Sequence, residues 1–121
     1  MKILAITNQS PFPKTSGVAV RSSLFLEALA KNNSVDLFIQ EYQCEEVPNI
    51  FSAVYHTKKP ITSMARMALA LLSNKNSIYF ERFRNGEAKK SIEALLQAQN
   101  YDLILAEALP AMVNLPYNCT V

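Results

Sequence analysis

The residues best placed to do chemistry gather between Ser10 and Arg21. Ser10-Pro11-Phe12-Pro13-Lys14-Thr15-Ser16-Gly17 separates a short apolar run from a helical pattern. A loop in that position lies beyond the carboxyl end of a strand, where open parallel sheets bind ligands. Gly17 stands where the helix begins. The free N–H groups and partial positive charge of a helix N-terminus suit a phosphate. A glycine there lets a ligand approach the backbone closely. Ser16 sits beside it, and Arg21, one turn in, offers a charge-assisted contact to a phosphate or an acceptor. The competing reading is a tight turn at Gly17 and a solvated arginine at position 21. A single glycine is neither a dinucleotide fingerprint nor a P-loop.

Glu107 is the second candidate. It follows the apolar run Leu103-Ile104-Leu105-Ala106, which places it at the same end of a parallel sheet. A carboxylate there can hydrogen-bond a sugar hydroxyl or act as a base. It can equally be an acid in the first turn of a helix, favoured by the dipole. The third candidate is the stretch from Lys58 to Lys90. Its eight lysines and arginines face only Glu81 and Glu87, against a net charge of +2 for the whole chain. With Ile61, Met64, Met67, Tyr79 and Phe80 nearby, such a patch could meet an anionic membrane or a phosphorylated acceptor. The alternative is a set of solvated helix faces.

The remaining reactive residues suggest less. His56 is the only histidine, so no histidine-based metal site can be built. Cys44 and Cys119 have no metal-ligand spacing and read as reduced thiols. Met64 and Met67 read as core filler. A net charge of +2 is too small to argue for nucleic acid. The N-terminus lacks a signal-peptide core, and no apolar run approaches a membrane span. These features lead us to expect a cytoplasmic protein.

The elements that must position these residues follow from periodicity. Lys2–Thr7 and Val35–Ile39 read as strands, the first apolar without interruption and so buried on both faces. Between them, a helix over Val18–Lys31 turns Val18, Ser22, Phe25 and Leu29 inward, with Val20, Leu24 and Ala28 widening that face. Lys31-Asn32-Asn33 is its stop signal, with a cation in the last turn and an asparagine available for the C-cap. Residues 40–49 read as a loop and Ile50–His56 as a third strand. A helix capped by Thr62 or Ser63 runs to Leu72, with Met64, Met67, Ala68 and Leu71 on one face. Ile78–Phe83 reads as extended. A helix over Gly86–Gln99 buries Ala88, Ile92, Leu95 and Leu96. A strand follows at Asp102–Ala106, then a helical turn at Leu109–Asn114 and a beginning strand at Asn118–Val121. Gly17 and Gly86 are the only glycines, and each is expected to serve a backbone requirement. The alternation predicts one α/β domain over residues 1–121, a three-layer Rossmann-like sandwich with a mostly parallel sheet of four or five strands.

The opening Met1-Lys2-Ile3-Leu4-Ala5-Ile6-Thr7-Asn8, the Pro-Phe-Pro loop and Lys14 to Ser23 together resemble the start of the retaining GT-B glycosyltransferases of the family 4 type. Phe25-Leu26-Glu27-Ala28-Leu29-Ala30 before Ser34 to Ile39 fits the same pattern. So do Phe80-Glu81-Arg82-Phe83 and the block from Asn100 to Pro110. The likeness extends across nearly the whole chain. Many relatives have two adjacent glycines where this chain has Ser16-Gly17.

The resemblance implies the acceptor-side domain of a transferase that moves a sugar from a nucleotide-sugar donor to a saccharide or lipid-linked acceptor. It implies a donor-facing loop at Ser16 and Gly17, with Arg21 and Glu107 as further contacts. It also implies that the donor domain and the last strands of this domain lie outside the chain. The donor is then expected only in the full-length protein, with no cofactor for this part and no turnover by it alone. Residues 58–90 would give peripheral contact with the inner face of the membrane. An uncovered strand edge or apolar face would drive self-association. The alternative from another class is a stand-alone Rossmann-like binding module without catalysis. A response-regulator-like fold would need acids after the first strand, and Asn8-Gln9-Ser10 supplies none.

Overall fold

The computed structural model describes residues 1–43, 46–59, 64–73 and 82–116, without the side chains of residues 66, 70 and 73. Besides a helical stretch at Arg82 and Phe83, four strands and four helices lie along them. They are β1 (Lys2–Gln9), α1 (Gly17–Asn32), β2 (Ser34–Glu41), β3 (Ala53–His56), α2 (Met64–Ser73), α3 (Gly86–Ala98), β4 (Leu103–Ala106) and α4 (Ala108–Met112). The strands form one parallel sheet in the order β3-β2-β1-β4. The chain builds outward from β1 through β2 to β3, then crosses back to lay β4 on the other side of β1. The strand order therefore reverses between β1 and β4.

The sheet is the middle of three layers. Ile3 and Ala5 of β1, with Val35, Leu37 and Ile39 of β2, pack under Leu26 of α1 and against Phe12 and Phe51. Leu4, Ile6 and Phe38 face the other way, onto Ala88 and Ile92 of α3 and Ala111 of α4. Both central strands are covered on both faces, which explains their unbroken apolar runs. The α/β Rossmann-like architecture read from the sequence is the one observed.

Several local expectations need correction. Helix α1 is rotated from the face its large apolar residues suggested. Ser22, Ser23 and Leu26 are buried, whereas Val18, Leu24 and Phe25 are more than half exposed. Small hydroxyl residues let the helix lie close against the sheet, so the inward stripe follows size as well as hydrophobicity. Its end is as expected: the Asn33 N–H and side-chain amide both donate to the Leu29 carbonyl. Strand β2 runs on through Gln40 and Glu41, both buried, where a polar loop was expected. Strand β3 is shorter than expected, with Ile50 in a turn before it.

Met64 is 83% exposed and is not core filler, and Ala68 and Leu71 of α2 also lie exposed. The expected cap at Thr62 or Ser63 lies outside the described residues, as do Cys44, Cys119 and the beginning strand at 118–121. Of the extended segment expected at 78–83, only Arg82 and Phe83 are described, and they are helical. Helix α3 buries Ala88 and Ile92 and packs Leu95 and Leu96, as its periodicity predicts. No described helix is long and apolar enough to cross a membrane.

Candidate functional site

A cleft of about 390 Å³ opens where β1 and β4 end, at the reversal of strand order. That is the place where doubly wound sheets bind ligands. One wall is the loop from Asn8 to Ser16 and the first turn of α1. The other is Glu107, Ala108 and Pro110 after β4, with Glu41 and Gln43 after β2 closing the side.

The loop is held by its own short-range bonds. The Ser10 hydroxyl donates to the Phe12 carbonyl (2.8 Å), and the Phe12 N–H donates back to Ser10 Oγ (3.2 Å). The Phe12 ring is buried, edge-on to Phe51 at 6.1 Å, which pins the loop to the core. Ser16 is the N-cap of α1: its Oγ accepts from the Ala19 N–H (3.1 Å) and its carbonyl from the Val20 N–H (2.9 Å). The Gly17 and Val18 N–H groups fall outside the helix's own bonding. With no acid in the first turn, the dipole's positive end stays uncompensated by the helix itself.

Gly17 does not have the conformational role expected of it. Neither glycine has a positive φ, and a Cβ built on either would meet nothing within 4 Å. Both are first residues of helices with open space around them. The unusual backbone is instead at Ala108, with φ 66°, on the opposite wall of the cleft. An alanine in the left-handed region carries a steric cost of roughly 1–2 kcal/mol, and such strain gathers at functional sites.

Glu107 occupies the N-cap position of α4 yet makes no side-chain capping bond. Its carboxyl instead reaches across to α1, where it is hydrogen-bonded with the Ser22 hydroxyl. The same hydroxyl also lies 2.8 Å from the Val18 carbonyl. The Ser22 hydroxyl donates toward Glu107 Oε1 and toward the Val18 carbonyl, its single proton shared between two acceptors. Burial pushes the Glu107 carboxyl above its ordinary value, and nearby Arg21 only partly opposes this.

Arg21 itself does not line the cleft. It borders a second, apolar pocket on the α1 side of β1 and β4, which shares Ser22, Glu107 and Ala108 with the cleft. The structure thus brings Ser16 and Glu107 to one cavity, sets Gly17 beside it and turns Arg21 away. Among the described residues, no lysine or arginine lines the cleft. Its polar groups are hydroxyls, amides and two carboxyls, a set suited to a polyhydroxylated ligand.

The exposed His56 ring stacks on Tyr42 at 4.2 Å and does not line the cleft. No described group of His, Cys, Asp and Glu could hold a metal. Among the described cations of the basic stretch, Lys58, Lys59, Arg82, Arg84 and Lys90 are exposed and Lys89 is half-buried.

Sequence reasoning missed two features. One is the contact role of Ser22, signalled only by a Ser22-Ser23 pair inside an otherwise apolar helical stretch. The other is a buried amide network behind the cleft. Gln40 donates to the Ala111 carbonyl (3.1 Å) and accepts from Asn114 (3.1 Å). Asn114 also donates to the Phe83 carbonyl (3.1 Å) and accepts from the Asn85 N–H (2.7 Å). Asn85 in turn caps α3 through the Glu87 and Ala88 N–H groups.

Comparison of the chain with protein-family models, with curated proteins and with solved structures finds no match.

Proposed function

We propose that this chain is the acceptor-side, Rossmann-like part of a glycosyltransferase that transfers a sugar from a nucleotide-sugar donor to a saccharide or lipid-linked acceptor. One observation carries the reading: the cleft at the strand-order reversal offers hydroxyls, amides, two carboxyls and a helix N-terminus, and no described cation. Sugar hydroxyls donate and accept together, and this lining does both. The resemblance of the opening residues to GT-B transferases points the same way. In this reading, Ser16 and the first turn of α1 hold an acceptor oxygen, in place of the donor-facing role that the resemblance implies for Ser16 and Gly17, and Glu107 hydrogen-bonds the hydroxyl opposite.

Transfer also requires stabilisation of the departing nucleotide diphosphate, for which the described lining of the cleft offers no side-chain cation. Purified alone, the chain is expected to show no turnover. Exposed Met64, Leu69, Leu71 and Leu72 near Lys58 and Lys59 in sequence support contact with an anionic membrane face, where lipid-linked acceptors reside.

The test is an amide NMR titration with methyl glycosides and short oligosaccharides beside a nucleotide sugar. Saccharides are expected to shift Ser10, Ser16, Ala19 and Glu107 saturably, with the nucleotide sugar weaker there. Binding of the nucleotide alone, with no saccharide response, would sink the acceptor reading in favour of a nucleotide-binding module.

A further inference from the structure

The pocket beside the cleft has a composition unlike the cleft itself. It measures about 320 Å³ and lies between α1 and the β1–β4 pair. Phe25, Leu26, Leu105 and Ala5 give it apolar walls. Arg21 borders it, and Thr7 is sunk into its wall, 1% exposed, its Oγ1 being, among the described residues, the only buried side-chain oxygen or nitrogen without a hydrogen-bond partner. The alternation of β1 puts Thr7 on the α1 face with Ile3 and Ala5. Ser22 and Glu107 stand at the boundary shared with the cleft.

We propose that this pocket binds a small apolar group carrying a hydroxyl, and that it holds the non-sugar portion of the acceptor whose sugar lies in the cleft. An apolar wall alone would accept any greasy surface. A buried hydroxyl with no partner discriminates, because a purely hydrocarbon occupant leaves it unpaired and one with an oxygen pairs it. The shared rim makes cleft and pocket one bipartite site, polar toward α1's first two turns and apolar toward its third.

The second half of the proposal rests on the acceptor reading of the cleft, and three probes separate the two. Benzyl alcohol reads the pocket alone, toluene reads it without the hydroxyl, and benzyl β-D-glucopyranoside reads pocket and cleft together. Methyl and amide NMR on the full chain is expected to show saturable shifts at Ala5, Leu26 and Leu105 with benzyl alcohol. Toluene is expected to bind about tenfold more weakly, the scale of one hydrogen bond. Thr7→Val, nearly isosteric, should keep the fold and abolish that tenfold preference. Leu105→Trp should block both probes by filling the pocket.

The glucoside should move pocket and cleft residues at one common affinity. Benzyl alcohol binding with no cleft response to the glucoside would uphold the pocket and overturn the acceptor reading. Absence of saturable shifts with benzyl alcohol would overturn the pocket whatever the cleft does. So would an unchanged preference in a folded Thr7→Val. Concentration-dependent shifts at the same residues without ligand, together with a dimer mass by sedimentation, would overturn it too, since a second copy would then be the cover.

Discussion

Glu107 joins the two walls of the cleft through its hydrogen bond with the Ser22 hydroxyl. Its carboxyl holds its proton more tightly in the folded chain than in the unfolded one, because burial penalises the charged form. The sign of the pH effect follows. The contribution to stability is complete below the ordinary glutamate range and is lost as pH rises through the raised value. Glu107→Gln cannot ionise and keeps a donor for Ser22. The stability of this variant relative to wild type is expected to increase as pH rises from acid toward neutral. Urea unfolding at a series of pH values measures that difference, and a flat difference would show Glu107 behaving as a solvated acid. A comparable carboxyl–hydroxyl contact occurs at the opposite end of the sheet, where Tyr101 donates to the buried Asp36 at 2.6 Å. Burial, then Asp36, pushes the Tyr101 phenol well above its usual range. None of these partnerships was legible in the sequence, since Ser22 and Glu107 are 85 positions apart and Asp36 and Tyr101 are 65 apart.

Elements meet behind the cleft through amides. Asn85 begins α3, Gln40 ends β2 and Asn114 follows α4, and all three are buried. Asn114 links the other two, so Asn114→Ala leaves the Asn85 N–H and a Gln40 oxygen unpaired in the interior. The expected loss is roughly 2–4 kcal/mol, read from the denaturant midpoint at unchanged slope, because each orphaned buried group costs about 1–3 kcal/mol. A loss below about 0.5 kcal/mol would mean water replaces the amide. The element order of strands and helices was readable from apolar periodicity, and α3's inward face from Ala88, Ile92, Leu95 and Leu96. Periodicity misled at α1, where Val18 and Phe25 look like core and Ser22 and Ser23 do not. The close approach of helix to sheet favours small side chains, and only the packed layers reveal how close that approach is.

At the scale of the whole molecule, apolar surface remains uncovered. Met64, Leu69, Leu71 and Leu72 of α2 are between 63% and 84% exposed, and Met64 and Leu72 are the most exposed large apolar side chains described. Apolar surface of this kind favours association. Light scattering is expected to show a concentration-dependent dimer or larger assembly, reduced toward monomer by Leu69→Glu with Leu72→Glu. A clean monomer at high concentration, or association unaffected by the two charges, would count against α2 as the cause. Strand β4, paired on one side to β1, marks the end of the described sheet opposite β3.

The sequence by itself determined the alternation of strand and helix, the burial of β1 and β2 on both faces, and the loop that had to end at the first helix. Local propensity and apolar period set those features, and both act over a few residues. Tertiary structure alone decided which strands became neighbours and so where the order reverses. It decided that Glu107 faces Ser22 and not its own helix, that Arg21 borders the apolar pocket and not the cleft, and that Thr7 carries an unpaired hydroxyl. Those outcomes depend on the distance between layers and on contacts between residues far apart in the chain, which no local pattern encodes.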